Sequence, residues 1–192
     1  VSEDLSEAPG PTTVTPDLIK QLGTSFMATR HLIAAAEVGV FEALADGALD
    51  LDALAARIAV PRRTTRICAD AMAALGLLER DGPLYRNSPV ADAFLSGRGR
   101  GDLRPFLRYL DVSYRAWVEF TGAIRTGQGS GFVTRLDPET QRVFSAGVES
   151  ATADSAVALA DCYEFGRHRR LLDLGGGTGS FLVRILNRYP AI

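Results

Sequence analysis

The stretch L-L-D-L-G-G-G-T-G-S-F-L-V-R-I-L-N-R, residues 171–188, decides how this chain folds. Leu171, Leu172 and Leu174 make a short apolar run of the kind required of a strand covered on both faces, with Asp173 near its carboxyl end. Gly175, Gly176, Gly177 and Gly179 follow. Glycine has no Cβ, so it reaches positive φ and lets a ligand approach the backbone, and the helix after it begins with unpaired N–H groups. Leu182, Val183, Ile185 and Leu186 then supply that helix with an apolar face. The spacing therefore predicts a strand, a glycine turn and a helix. The dinucleotide fingerprint G-x-G-x-x-G, counted from Gly175, fails at Ser180, and no Lys-Ser or Lys-Thr pair follows to make a phosphate loop.

Composition sets outer bounds on function. With 46% hydrophobic and 23% charged residues in 192, the chain reads as globular. A formal net charge of -2 offers no global attraction to nucleic acid or anionic membrane. The most apolar long window, residues 26–45, contains Arg30, His31, Glu37 and Glu42, which argues against a membrane span. Glu3, Asp4 and Glu7 stand where a secretory signal would be basic, so a cytoplasmic location is expected. Cys68 and Cys162 lie far apart without metal-ligand spacing, so no metal site is expected and both are read as reduced, buried residues.

Residues 1–14 are acidic and rich in Pro, Ser and Thr, the composition of a disordered tail. Thr15, Pro16 and Asp17 read as a capped helix start. The helix is expected to run to Glu37, and its Leu22, Phe26, Met27, Leu32 and Ile33 are apolar on more than one side. That pattern predicts a homodimer built through Leu22, Phe26 and Ile33. Across residues 50–95, two helices and a hairpin around Asp81 and Gly82 suggest a winged-helix-like arrangement. Arg62, Arg63, Arg66, Arg80 and Arg86 would serve DNA contact in one reading. The acidic net charge and the absence of a lysine run favour the other, a scaffold for protein contacts with no nucleic acid partner.

Further on, Asp102 is read as the cap of one long helix whose stripe runs through Leu103, Phe106, Leu110, Trp117, Phe120 and Ile124. Asp137-Pro138 opens a second helix carrying Phe144, Val148 and Leu159 to about Glu164. Trp117 and Phe144, one on each helix, are candidates to wall a flat aromatic substrate. His31 reads as a packed or solvated helical histidine. His168 stands before the strand, at the wrong end for chemistry in a parallel sheet.

Asp173, Gly175, Gly177 and Gly179 match D-x-G-x-G-x-G in register, and this segment resembles the first motif of class I S-adenosylmethionine-dependent methyltransferases. The segments L-D-L-D-A-L-A-A-R-I-A-V-P, residues 49–61, and A-L-G-L-L-E-R-D-G-P-L-Y-R-N-S-P-V-A, residues 74–91, are similar to the amino-terminal dimerisation domain of small-molecule O-methyltransferases. The two resemblances stand in the order that family has. They imply a mainly α chain: a winged-helix-like dimerisation domain over residues 15–100, a helical connector and substrate wall over 101–165, and the first strand, loop and helix of a Rossmann-like α/β domain from 166 to 192. The cofactor implied is S-adenosyl-L-methionine, held by Asp173, Gly175, Gly176, Gly177 and Gly179. In that family a phenylalanine, a methionine and a serine at four-residue steps face the cofactor. Here those positions are Phe144, Val148 and Thr152, with valine replacing methionine; Thr152 is assigned to the cofactor, Phe144 and Val148 to the substrate. The implied substrate is a small aromatic molecule with a free hydroxyl, and the Ala, Arg and Gly-rich composition suggests bacterial natural-product biosynthesis. No catalytic residue is assigned. One strand and one helix cannot bury their own apolar faces, so the chain is expected to be an amino-terminal half, with the ribose-binding acid and the general base beyond residue 192.

Overall fold

The computed structural model describes residues 15–99, 101–129 and 131–192; the expected tail at 1–14 lies outside the described residues. The chain is mainly helical. Helix α1 (Asp17–Glu37) starts one residue later than a Thr15 cap would place it: Pro16 occupies the cap position and no side chain caps the turn. Gly39, at φ 80°, turns the chain into the short α2 (Val40–Ala43). Helix α3 (Leu51–Ile58) is capped by Asp50, whose carboxylate accepts the Ala53 N–H at 2.8 Å.

Helix α4 (Arg62–Ala74) ends at Leu75, and Gly76 follows at φ 73°. Its buried row is Thr65, Ala69 and Met72 rather than Ala71 with its neighbours Ile67 and Leu75, which are 53% and 46% exposed. Thr65 tolerates burial because its hydroxyl can donate to the carbonyls of Val60 or Pro61. Strands β1 (Leu49–Asp50), β2 (Leu78–Asp81) and β3 (Leu84–Asn87) form an antiparallel sheet in the order β1-β3-β2. Asp81 pairs with Leu84, so the hairpin loop is Gly82-Pro83, with Gly82 at φ 56°. Ser88 caps α5 (Pro89–Leu95). Val40, Phe41, Leu54, Met72, Leu78 and Tyr85 are the centre of the core these elements share.

The expected single helix after this unit is two: α6 (Arg104–Val118) and α7 (Phe120–Thr126), separated at Glu119. Asp102 still serves the start of α6 by accepting the Arg104 N–H at 3.0 Å, although Leu103 takes the cap position. Helix α1 lies along α6, joined by an ion pair between Arg30 and Asp111, with the Arg30 guanidinium 5.4 Å from the Tyr114 ring centroid. Helix α8 (Pro138–Cys162), capped by Asp137, crosses α6 at Gly147, where an added Cβ would stand 2.1 Å from the Tyr109 Cβ. Helix α9 (Ser180–Arg188) packs on α8 through Ala160, Phe165 and Ile185.

Three expectations change. Residues 171–174 form no strand, because a strand exists only through its neighbours' hydrogen bonds and no described segment pairs with them; Leu172 and Leu174 are 78% and 85% exposed. Ile33 is buried at 3% within its own chain, so the outward apolar face of α1 is Leu18, Ile19, Leu22, Phe26 and Met27. Cys162 is exposed, and only Cys68 is partly covered, its thiol pKa pushed up by burial.

Candidate functional site

Four-residue steps along α8 put Phe144, Val148 and Thr152 on one stripe, and the stripe faces the glycine loop across a cleft of about 520 Å³. The opposite wall is Asp173 with Gly175, Gly176 and Gly177, and the start of α9 closes the end. The Thr152 hydroxyl donates to the Val148 carbonyl at 2.8 Å, which fixes its rotamer against α8. Gly175 and Gly177 sit at φ 76° and 55°, and a Cβ on either would meet nothing within 4 Å, so their backbone stands open. Gly176 is different. A Cβ there would lie 2.3 Å from the Asp173 carboxylate, so this glycine makes room for that side chain. Gly179 does not line the cleft; at φ 75° it starts α9, and its N–H donates to the Gly176 carbonyl at 2.7 Å, closing the turn.

Trp117 is not brought to the cleft. It is 65% exposed at the α6–α7 corner and rests on Phe120 at 5.1 Å. The aromatic neighbours of Phe144 are instead Tyr109, edge-on at 5.1 Å, and Phe132 at 6.5 Å. Sequence reasoning missed both: Tyr109 lies off the apolar stripe of α6, and Phe132 sits in a glycine-rich loop with no period. Gln141, Ser145 and Glu149 also line the cleft, and the Gln141 amide donates to the Ser145 hydroxyl at 3.3 Å. Two carboxylates, Glu149 and Asp173, face the space with no basic side chain among its lining residues.

Four of the five arginines named for DNA contact are paired with carboxylates away from the cleft. Arg62 pairs with Asp52 at 2.5 Å, Arg66 and Arg80 each with Asp70 at 3.4 Å, and Arg86 with Glu79 at 2.7 Å. His31 is exposed and bonds the Met27 carbonyl, and His168 bonds the Tyr163 hydroxyl at 2.7 Å, so neither reaches the cleft. Among the described residues no cluster of three His, Cys, Asp or Glu could hold a metal ion, and no helix is long and apolar enough to cross a membrane.

A helical chain with a glycine-loop cleft of this form falls in the methyltransferase-like class of folds. Human N-acetylserotonin methyltransferase in complex with SAM superposes with a TM-score of 0.80 at 24% identity, over 98% of this chain and 59% of that one. PigF with SAH gives 0.78 at 26% identity, over 93% and 57%. Residues 20–97 match the O-methyltransferase dimerisation domain and residues 118–192 the O-methyltransferase domain, and with both matches in order the chain belongs to the O-methyltransferase family. Among its relatives are the tetracenomycin polyketide synthesis 8-O-methyl transferase TcmO of Streptomyces glaucescens, 34% identical over 91% of this chain and 54% of the relative. The 3-hydroxy-5-methyl-1-naphthoate 3-O-methyltransferase of Streptomyces sahachiroi is 33% identical over 91% and 53%, and the N,N-dimethyltransferase OxyT of Streptomyces rimosus 31% over 88% and 53%. The chain spans about half the length of these curated relatives.

Proposed function

We propose that this protein is an S-adenosyl-L-methionine-dependent O-methyltransferase acting on the hydroxyl of a small aromatic molecule in natural-product biosynthesis, as a cytoplasmic homodimer. The observation that carries the reading is the cleft in which Phe144, Val148 and Thr152 of α8 meet the glycine loop. The residues fit the cofactor: Gly175 and Gly177 present open backbone, and the volume is within the roughly 300–1,000 Å³ of small-molecule sites. When bound, S-adenosyl-L-methionine supplies a methyl group on a cationic sulfur. Asp173, Gly175, Gly176, Gly177, Gly179 and Thr152 hold it in this reading, Gly176 by accommodating Asp173 and Gly179 by closing the turn. Phe144 and Val148 exclude water from the reacting face and press a planar acceptor into line, and alignment of this kind is a large part of what such a transfer needs. Tyr109 supports the Phe144 ring from behind.

Residues 15–100 act in this reading as a winged-helix-like dimerisation unit, 101–165 as the connector that walls the site, and the cofactor part begins at 166. The pairing of Arg62, Arg66, Arg80 and Arg86 with carboxylates leaves little free charge for phosphates, which favours the scaffold role over DNA binding. The relative named as an N,N-dimethyltransferase supports a second reading in which the acceptor atom is an amine nitrogen. Calorimetric titration with S-adenosylhomocysteine tests the cofactor assignment: saturable one-site binding is expected. No binding, together with tight salt-sensitive binding to a defined DNA duplex, would overturn it.

A further inference from the structure

We propose that Glu149 discriminates by charge within the cleft, favouring the sulfonium form of the cofactor over the neutral thioether that remains after methyl transfer. The inference rests on the cofactor reading above and concerns how the site distinguishes reactant from product. Glu149 lies on the α8 wall, one residue past Val148, and lines the same cleft as the glycine loop. No Lys, Arg or His lines that space, and Glu149 takes part in no ion pair or hydrogen bond among the described residues. Its position is mid-helix, 11 residues past the first residue of α8, Pro138, and 13 before the last, Cys162, so neither helix end gains from its charge. The neighbouring polar residues on this wall, Gln141 and Ser145, are neutral, and the Gln141 amide donates to the Ser145 hydroxyl. A carboxylate with no structural partner, in a cleft without a compensating cation, acts on the charge of whatever enters.

The chemistry makes that charge change sign-specific. In the transfer, the bond from sulfur to the methyl carbon breaks as the bond from the acceptor oxygen to that carbon forms. Sulfur keeps the electron pair and becomes a neutral thioether, and the acceptor's proton leaves to solvent. One positive charge therefore disappears from the ligand at the sulfur. A nearby carboxylate holds the reactant and not the product, so it hastens exchange of spent cofactor. The same attraction opposes the chemical step, because it stabilises a charge that the transition state is losing.

The test is calorimetry of the protein with S-adenosylmethionine and S-adenosylhomocysteine, for wild type, Glu149→Gln and Glu149→Asp, at low and high salt. Glu149→Gln should weaken S-adenosylmethionine about five-fold, as expected of one charge pair in a solvent-open cleft, and leave S-adenosylhomocysteine within about two-fold. Glu149→Asp should keep most of the preference. The wild-type ratio of the two affinities should shrink as salt rises, and the ratio for Glu149→Gln should shrink less steeply, since Asp173 still faces the cleft. A Glu149→Gln protein that binds both ligands with the wild-type ratio, or loses both equally, overturns the proposal and leaves the cofactor reading standing. If the wild type binds neither ligand, the cofactor reading falls and this proposal falls with it.

Discussion

A methyl group added at Gly147 would stand 2.1 Å from the Tyr109 Cβ and 2.9 Å from the Pro105 carbonyl, a backbone atom that cannot swing aside. Gly147→Ala should therefore push α8 off α6 and destabilise the protein by about 1–3 kcal/mol, seen as a fall of several degrees in Tm. The opposite case is Gly177, which has space around it but a φ of 55°. Gly177→Val should leave the helical part folded and abolish S-adenosylhomocysteine binding, because the branched side chain enters the cleft and strains the turn; calorimetry with circular dichroism separates the two effects. Asp70 offers a test in pH. The hydrogen bond from the buried Tyr85 hydroxyl, at 2.7 Å, is the main cause holding its carboxyl below the usual range, with Arg66 and Arg80 adding to it. A carboxylate depressed on folding contributes stability above its unfolded value, about 4, and loses that contribution as pH falls through the folded value. Tyr85→Phe should thus cost stability at pH 7 and lose less than wild type on acidification, measured by urea denaturation across the acid range. None of these three environments is visible in a glycine count or a charge total. The sequence marks Gly177 through its register with Asp173, but Gly147 and Asp70 owe their roles to neighbours 38 and 15 residues away, Tyr109 and Tyr85.

Among the elements, the start of α8 was legible because its cap is local, Asp137 directly before Pro138. Asp50, Ser88 and Asp137 all accept backbone N–H groups, and Asp137 takes those of Glu139 and Thr140 at 3.0 Å each. Because α8 carries Phe144, Val148 and Thr152, Asp137→Ala should speed amide exchange at Glu139 and Thr140 and weaken cofactor binding modestly, while exchange near Ala160 stays slow; hydrogen exchange resolves the two. Thr15 fails as a cap because the chain enters α1 through Pro16, at φ -77° and ψ 2°, leaving the threonine one residue too early. The break at Glu119 was not legible either. The apolar spacing continues across it into Phe120 and Ile124, and neither proline nor glycine marks the turn. The segment 171–174 shows the other limit: an apolar run reveals that a strand would be stable there, whereas pairing is settled by a partner at a distance.

For the molecule as a whole, α1 carries more exposed large apolar residues than any other helix among the described residues: Leu18, Ile19 and Leu22 are 66%, 76% and 66% exposed, with Phe26 and Met27 beside them at 45% and 50%. A dimer seated there should be broken by Leu22→Glu combined with Phe26→Ser, which should halve the mass in sedimentation at micromolar concentration without changing helix content. Ile33→Val should not, since Ile33 packs inside its own chain. The two walls that the structure sets across the candidate cleft were legible because each is a short local pattern, a four-residue step on α8 and a glycine register before α9. The aromatic neighbours of Phe144 were not, because Trp117 faces outward at a corner that periodicity cannot detect and Tyr109 reaches Phe144 only through the crossing of α6 with α8.

The unpaired leucine run before the glycine loop has a consequence for handling the protein. Within residues 1–192, a leucine run that pairs with no described strand, carrying Leu172 and Leu174 at 78% and 85% exposure, is adhesive toward any extended chain that reaches it. Two copies meeting there would join edge to edge, independently of the surface on α1. Concentrated samples of residues 1–192 on their own should therefore cloud on standing, in proportion to concentration and little affected by Leu22→Glu. Replacing Leu172 with lysine should keep them clear, as light scattering would show.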